Sequence, residues 1–312
     1  MKLTTEFPEK FFTEEERSIV ISEDRKRLWA VQLDLLIEFD RVCQENGIKY
    51  SLDAGTLLGA IRHKGFIPWD DDVDVVMLRE EYEKLDKIAS EKFSEPYFWQ
   101  TFLTDPDHGR GFARLRNSST TYILHSEWDG EKSFFSHNQG VFIDIFVCDK
   151  VPDDLMNRAK FMDALAAMQD YAWRIRMQKT IKWKMKLFLH PRALLRAIRH
   201  LICYKVLGID RVPQVREKLN LMAQKYRGTD EENVSRLTFC ANSKDRLSAC
   251  VPRHFLEELT MVEFEGYKFQ ATKYWNEYLT IFYGNWHKHV IAHDPSGDAF
   301  IDLDNSYTKY IQ

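Results

Sequence analysis

The amino-acid sequence predicts an α+β protein: a mixed β-sheet core with flanking helices and a mainly helical, basic insertion. Three observations carry this. Up to residue 154, short runs rich in Val, Ile and Phe alternate with stretches of helical periodicity. Between Asp170 and Asp210 there is no acidic residue, whereas lysines and arginines recur from Arg174 to Lys205. Beyond residue 231, short strand-like and helix-like runs return. The expected organisation is an N-terminal extension over 1–21, a core over 22–154, a helical basic insertion over 155–230, and a segment over 231–312 that completes the core.

Residues 13–46 read as helix. Thr13 with Glu16 fits a capping box. Leu28, Val31, Leu35, Ile37, Phe39 and Val42 recur on one face, and Asn46-Gly47 supplies a helix stop. "IKYSLDA" reads as a short strand, and Gly55 to Ile61 as a short helix. "DDVDVVML" is a Val-rich strand bounded by Pro68, and "REEYEKLDKIASEKF" is an amphipathic helix. Further strands are expected near 97–102, 112–116 and 141–147. In the insertion, "PRALLRAIRHLI" sets Leu194, Leu195, Ile198, Leu201 and Ile202 against Arg192, Arg196 and Arg199.

The bulk numbers exclude several classes. The chain has 312 residues, 44% of them hydrophobic and 29% charged, with a formal net charge of −4. That is ordinary for a globular protein and argues against nucleic acid as a partner. No apolar run reaches the length of a membrane span, and the acidic N-terminus lacks the apolar stretch of a secretory leader. The five cysteines are odd in number and without a CxxC pair, as expected of reduced thiols in a cytoplasmic protein. The basic, Trp-containing stretch over 173–205 is a candidate for peripheral contact with an anionic membrane, or else a helix with a solvated basic face.

Four aspartates fall within five positions: Asp70, Asp71, Asp72 and Asp74. In a strand, alternation would turn Asp70, Asp72 and Asp74 one way and Asp71 the other. Carboxylates at the mouth of an apolar strand need a cation, and oxygen donors suit Mg²⁺ or Mn²⁺. An EF-hand reading fails because Val75 stands where that loop needs Gly. Asp144, alone in "VFIDIFV", is either a third ligand or ion-paired with an arginine such as Arg114 or Arg116. Three carboxylates on two neighbouring strands can serve in-line phosphoryl displacement. Upstream, Gly55-Thr56 sits between a strand and a helix start, where small residues let backbone N–H groups approach a phosphate. A Gly-Thr turn, a short helix and a strand with alternating aspartates is the layout of the nucleotidyltransferase superfamily.

"YSLDAGTLLGAIRHKGFIPWDDDVDVVMLREEYEKL" resembles the signature of the LicD family of phosphotransferases, to which the fukutin-related proteins also belong. "FARLRNSSTTYI", "GVFIDIFVCD", "FEGYKF" and "YWNEYLTIFYGNW" resemble further segments of that family. The likeness covers residues 25–150 closely and 260–286 more loosely. Val147-Cys148 departs from the family's usual Pro-Leu, and Ala271 from a common proline. The resemblance implies a nucleotidyltransferase-type core, with Asp72, Asp74 and Asp144 as metal-holding catalytic residues and Gly55-Thr56 on the phosphate turn. Arg62, Arg114 and Arg116 are candidates for phosphate binding. The implied reaction moves a phospho-alcohol from a CDP-activated donor, typically CDP-choline, to a sugar of a cell-surface glycan, releasing CMP. Ribitol or glycerol phosphate, or nucleotidyl transfer proper, are the alternatives. A choline group would call for aromatic rings, and Trp69, Tyr82, Trp99, Trp275, Tyr278, Tyr283 and Trp286 are the candidates.

Overall fold

The computed structural model describes residues 2–5, 21–177, 212–240, 249–288 and 299–311. The Thr13–Glu16 capping box, the "PRALLRAIRHLI" helix and most of the basic stretch over 173–205 therefore lie outside the described residues.

The first helix, α1 (Glu23–Glu45), starts at Ser22, whose side chain accepts the Arg25 N–H, and stops at Asn46-Gly47, with Gly47 at φ +62°. Leu28, Trp29, Val31, Leu35, Leu36 and Phe39 on it are buried, each worth about 1.5–3 kcal/mol of burial. The following elements are β1 (Ser51–Leu52), α2 (Ala54–His63), β2 (Asp74–Leu78), α3 (Arg79–Lys92), β3 (Tyr97–Gln100), β4 (Ala113–Asn117), β5 (Thr121–Leu124) and β6 (Val141–Lys150). Then come α4 (Leu155–Met177), α5 (Val212–Ala223), β7 (Asn233–Ser235), α6 (Leu237–Cys240), β8 (Cys250–Pro252), β9 (Leu259–Phe264), β10 (Tyr267–Thr272), α7 (Trp275–Tyr283) and β11 (Ala299–Asp302).

The fold is mixed α+β. The main sheet runs β1-β2-β6-β4-β3, with β2 and β6 parallel and the other pairs along this order antiparallel. Strand β6 is long enough to serve two neighbourhoods. Its first half pairs with β2 and β4, and its end pairs with β7, which carries β8. All but its last residue are buried, which is why "VFIDIFVCD" reads as a nearly unbroken apolar run. A buried ion pair from Arg79 to Asp149, at 2.6 and 2.8 Å, ties the start of α3 to the end of β6. The C-terminal elements join the same core. Thr272 donates its N–H to Ser51 Oγ, and Phe264, Phe269, Tyr278 and Trp286 pack in the cluster that holds the α1 residues. A separate small core of Phe161, Met162, Leu165, Leu219, Ala223 and Leu237 joins α4 to α5.

One expected element is shorter than its pattern. The strand predicted over "DDVDVVML" begins only at Asp74. Ahead of it the backbone is held by side chains of α1 rather than by a strand ladder. Arg25 and Trp29 donate to the Asp70 carbonyl, at 2.8 and 2.9 Å, and Gln32 donates to the Asp71 carbonyl at 2.5 Å. These three residues lie at helical spacing on one face of α1, so one helix face fixes the acidic loop.

Candidate active site

The parallel register sets Asp74 level with Asp144 across β2 and β6. Beside them a cleft of about 450 Å³ opens between α2, the acidic loop and the residues after α7. Asp70, Asp72 and Asp74 line it together with Gly55, Arg62, Trp69, Tyr283, Asn285, Trp286 and Lys288. Asp71 turns away, accepts the Tyr122 hydroxyl at 3.2 Å and is buried. The alternation expected of a strand thus survives in an irregular loop. Asp71 itself, set apart from the other three by that alternation, is a buried hydrogen-bonded acid.

Burial, then the charges of Asp70, Asp71 and Asp144, push the Asp72 carboxyl well above the usual carboxylate range. Burial, then Asp72, Asp144 and Asp53, do the same for Asp74, against a smaller opposing pull from Arg236. No cation pairs with either carboxylate among the described residues. An all-oxygen, self-repelling pair of this kind fits a hard divalent cation. Among the described residues no three His, Cys, Asp or Glu side chains form a ready-made cage. Mg²⁺ does not need one, because it is commonly held by one or two carboxylates with substrate phosphates and waters.

Asp144, level with Asp74, makes the ion pair that one of its two sequence readings offered. Arg114 Nε lies 2.6 Å from Asp144 Oδ1 and Nη2 lies 3.3 Å from Oδ2. The same guanidinium stacks on Phe142 at 3.5 Å. Arg116 is committed elsewhere: buried, it donates to Gln100 Oε1 and to the Gly140 carbonyl, so it is not a cleft residue. Thr56 is also corrected. Its hydroxyl is buried and accepts the Asp74 N–H at 2.9 Å, so it positions the aspartate rather than facing the cleft. Gly55 does face it, and the reason for glycine is direct. A Cβ there would stand 2.2 Å from Asp70 Oδ2. Arg62, half-buried, donates to His63 Nε2 and to the Trp286 carbonyl.

The aromatic candidates separate. Trp69, Tyr283 and Trp286 line the cleft, and Trp275 packs edge-on against Trp286 at 5.9 Å. Tyr82 and Trp99 pack with Arg79 and Phe93 instead. Tyr278 donates its hydroxyl to Asp53 Oδ1 at 2.7 Å.

Asp53 is the residue that sequence reasoning passed over. Fully buried, it caps α2 through the Ala54 N–H, accepts Tyr278, and accepts Arg236 Nη1 on Oδ2 at 2.5 Å. Its own N–H donates to the Asp74 carbonyl. Its position just before Gly55 was a usable signal for a cap. Its partner 183 residues away was not.

No helix among the described residues is long and apolar enough to cross a membrane. The LicD/FKTN/FKRP nucleotidyltransferase-domain family profile matches residues 47–174, a span that holds Gly55, the acidic loop and Asp144. The chain is 28% identical over 268 residues to the lipopolysaccharide cholinephosphotransferase LicD of Haemophilus influenzae, covering 83% of this chain and 89% of that protein. It is 30% identical over 120 residues to the uncharacterized protein RP689 of Rickettsia prowazekii, covering 38% and 39% respectively. It is 28% identical over 87 residues to the human ribitol 5-phosphate transferase FKRP, covering 28% of this chain and 18% of that one.

Proposed function

Because residues 47–174 are a LicD-family domain, we propose that this protein transfers phosphocholine from CDP-choline to a sugar hydroxyl of a cell-surface glycan or its lipid-linked precursor, releasing CMP. The observation that carries the reading is the cleft where Asp70, Asp72 and Asp74 meet three aromatic rings and two cationic side chains. Asp72 and Asp74, buried together and with no cation paired to them among the described residues, suit a metal-bound pyrophosphate. Trp69, Tyr283 and Trp286 suit a quaternary ammonium, which binds over aromatic faces. The cholinephosphotransferase name of the Haemophilus relative points the same way.

Asp72 and Asp74 would hold Mg²⁺ or Mn²⁺. Bound there, the ion would neutralise phosphate charge and lower the pKa of an attacking hydroxyl. The chain's own residues do the rest. The Gly55 backbone leaves room for the donor phosphates at the start of α2, and Arg62 and Lys288 reach their oxygens. The acceptor hydroxyl attacks the phosphorus that bears choline, and the bond from that phosphorus to the oxygen of CMP breaks. Asp144 is the candidate to take the hydroxyl proton, with Arg114 fixing the orientation of its carboxylate. Thr56 and Asp53 hold the Asp74 backbone in place.

The test is a donor screen with Mg²⁺, using CDP-choline, CDP-ribitol, CDP-glycerol and CTP, and following CMP and pyrophosphate. CMP release with CDP-choline is expected. Asp72→Ala should lower it by at least about a hundredfold. The variant should be no less thermostable than the parent in EDTA, since it removes a repelling buried charge. Pyrophosphate from CTP, with no CMP from any CDP-alcohol, would refute the reading.

A further inference from the structure

A second concentration of charge lies outside the cleft and has the opposite sign. Arg216 on α5 is 6% exposed, its Nε has no hydrogen-bond partner, and no carboxylate pairs with it among the described residues. Its Nη1 lies beside Gly111, the neighbour of Arg110, and Arg110 and Arg176 both stand against the Trp173 ring, at 6.0 and 5.9 Å. Burial, reinforced by these two arginines, brings its pKa down to about 9. Arg110, in the loop before β4, also lacks a carboxylate at ion-pair distance among the described residues, and its guanidinium stands 6.0 Å from the Trp173 ring. Burial and Arg114 bring its pKa down to about 10. Arg176, at the end of α4, is better held. Its Nη1 lies 2.8 Å from Glu127 Oε1, its Nε donates to the Asp107 carbonyl, and its guanidinium covers Phe135 at 4.0 Å. Gly109, at φ +64°, is what lets it pass, since a Cβ there would meet its Cδ at 2.2 Å.

Buried guanidinium groups that repel one another cost stability unless an anion joins them. Glu127 is the nearest acid and is already taken by Arg176, with His137 at 3.5 Å. His108 and His137, in the same region, are held neutral by burial and the arginines. The sequence between Arg176 and Arg216 adds Lys and Arg with Asp210 as its sole acid. Planar, fork-shaped donors arriving from three elements match the several oxygens of a phosphate ester.

We propose that Arg110, Arg176 and Arg216 form a phosphate-binding subsite distinct from the carboxylate cleft. None of the three lines that cleft, whereas Arg110 is near enough to Asp144 and Arg114 to feel their charge. The donor pyrophosphate belongs with the carboxylates, so phosphate here belongs to the second substrate. That substrate is then a glycan that itself carries a phosphate ester, soluble or lipid-linked. This last step rests on the transferase reading; the anion subsite does not.

The test is calorimetric titration of the full chain with glucose 1-phosphate, with methyl glucoside as the uncharged control. Flotation with phosphatidylglycerol vesicles forms the lipid arm. CDP-choline with Mg²⁺ reports the cleft separately. Arg216→Gln should weaken phosphate-ester binding at least tenfold and leave CDP-choline binding within twofold. Its melting temperature without phosphate should be no lower than the parent's. Arg110→Gln, on a half-buried loop, repeats the test where the fold is least at risk. The arm whose binding these variants abolish names the source of the phosphate. If neither arm loses binding in either variant, the subsite is refuted. If CDP-choline alone fails to bind, the donor assignment falls and the subsite stands.

Discussion

Replacing Asp53 by Ala tests whether the start of α2 is held from the far end of the chain. The fully buried carboxylate accepts from the Ala54 N–H at 2.8 Å, the Tyr278 hydroxyl at 2.7 Å and Arg236 Nη1 at 2.5 Å. Removing it leaves a guanidinium that is 8% exposed without this charge partner, and breaking a buried pair in this way costs roughly 3–5 kcal/mol. The lost cap adds about 1 kcal/mol, and the two effects overlap because they share one side chain. A net loss of roughly 4 kcal/mol corresponds to a fall of about 6 °C in melting temperature for a chain of 312 residues. Differential scanning calorimetry and urea denaturation would measure both quantities. The double variant Asp53→Ala, Arg236→Met removes both charges and should recover at least about half of the loss, since Met can pack against Phe146 and Phe282 where the guanidinium stacks. A loss under about 1 kcal/mol in the single variant, or a double variant no more stable than the single one, would refute the reasoning.

Two other outcomes follow from geometry. Gly55→Ala should drive the Asp70 carboxylate out of the cleft, costing about 1–3 kcal/mol of stability and most of the CMP release; a variant with parental kcat and KM would contradict this placement. Glu127→Gln should change the acid limb of stability. Burial would raise the Glu127 pKa, but Arg176, His137 and Arg110 hold it down at about 2, so its contribution is present above the unfolded value of about 4.3 and is lost as pH falls toward 2. The parent should therefore lose roughly 2–3 kcal/mol over that window, and the variant should lose measurably less in equilibrium denaturation. Equal slopes would count against the ion pair.

Sequence alone carried what depends on neighbours along the chain. The stop of α1 at Asn46-Gly47, the buried run of β6 and the common facing of Asp70, Asp72 and Asp74 all follow from local conformational preference and alternation. The LicD likeness followed from the same stretch, because those residues are contiguous. Tertiary structure decided which groups meet. Thr56 went to the Asp74 backbone, Asp144 to Arg114, and Arg116 to Gln100 and Gly140. Tyr283 and Trp286 entered the cleft from the other end of the chain, Asp53 found Arg236, and Arg110, Arg176 and Arg216 came together from separate elements with one acid, Glu127, paired to Arg176 among the described residues. Periodicity tells which face of an element is buried. It does not tell which side chain lies across the gap, because that pairing is set by distance through space and by the energy of leaving a buried charge or donor unmet.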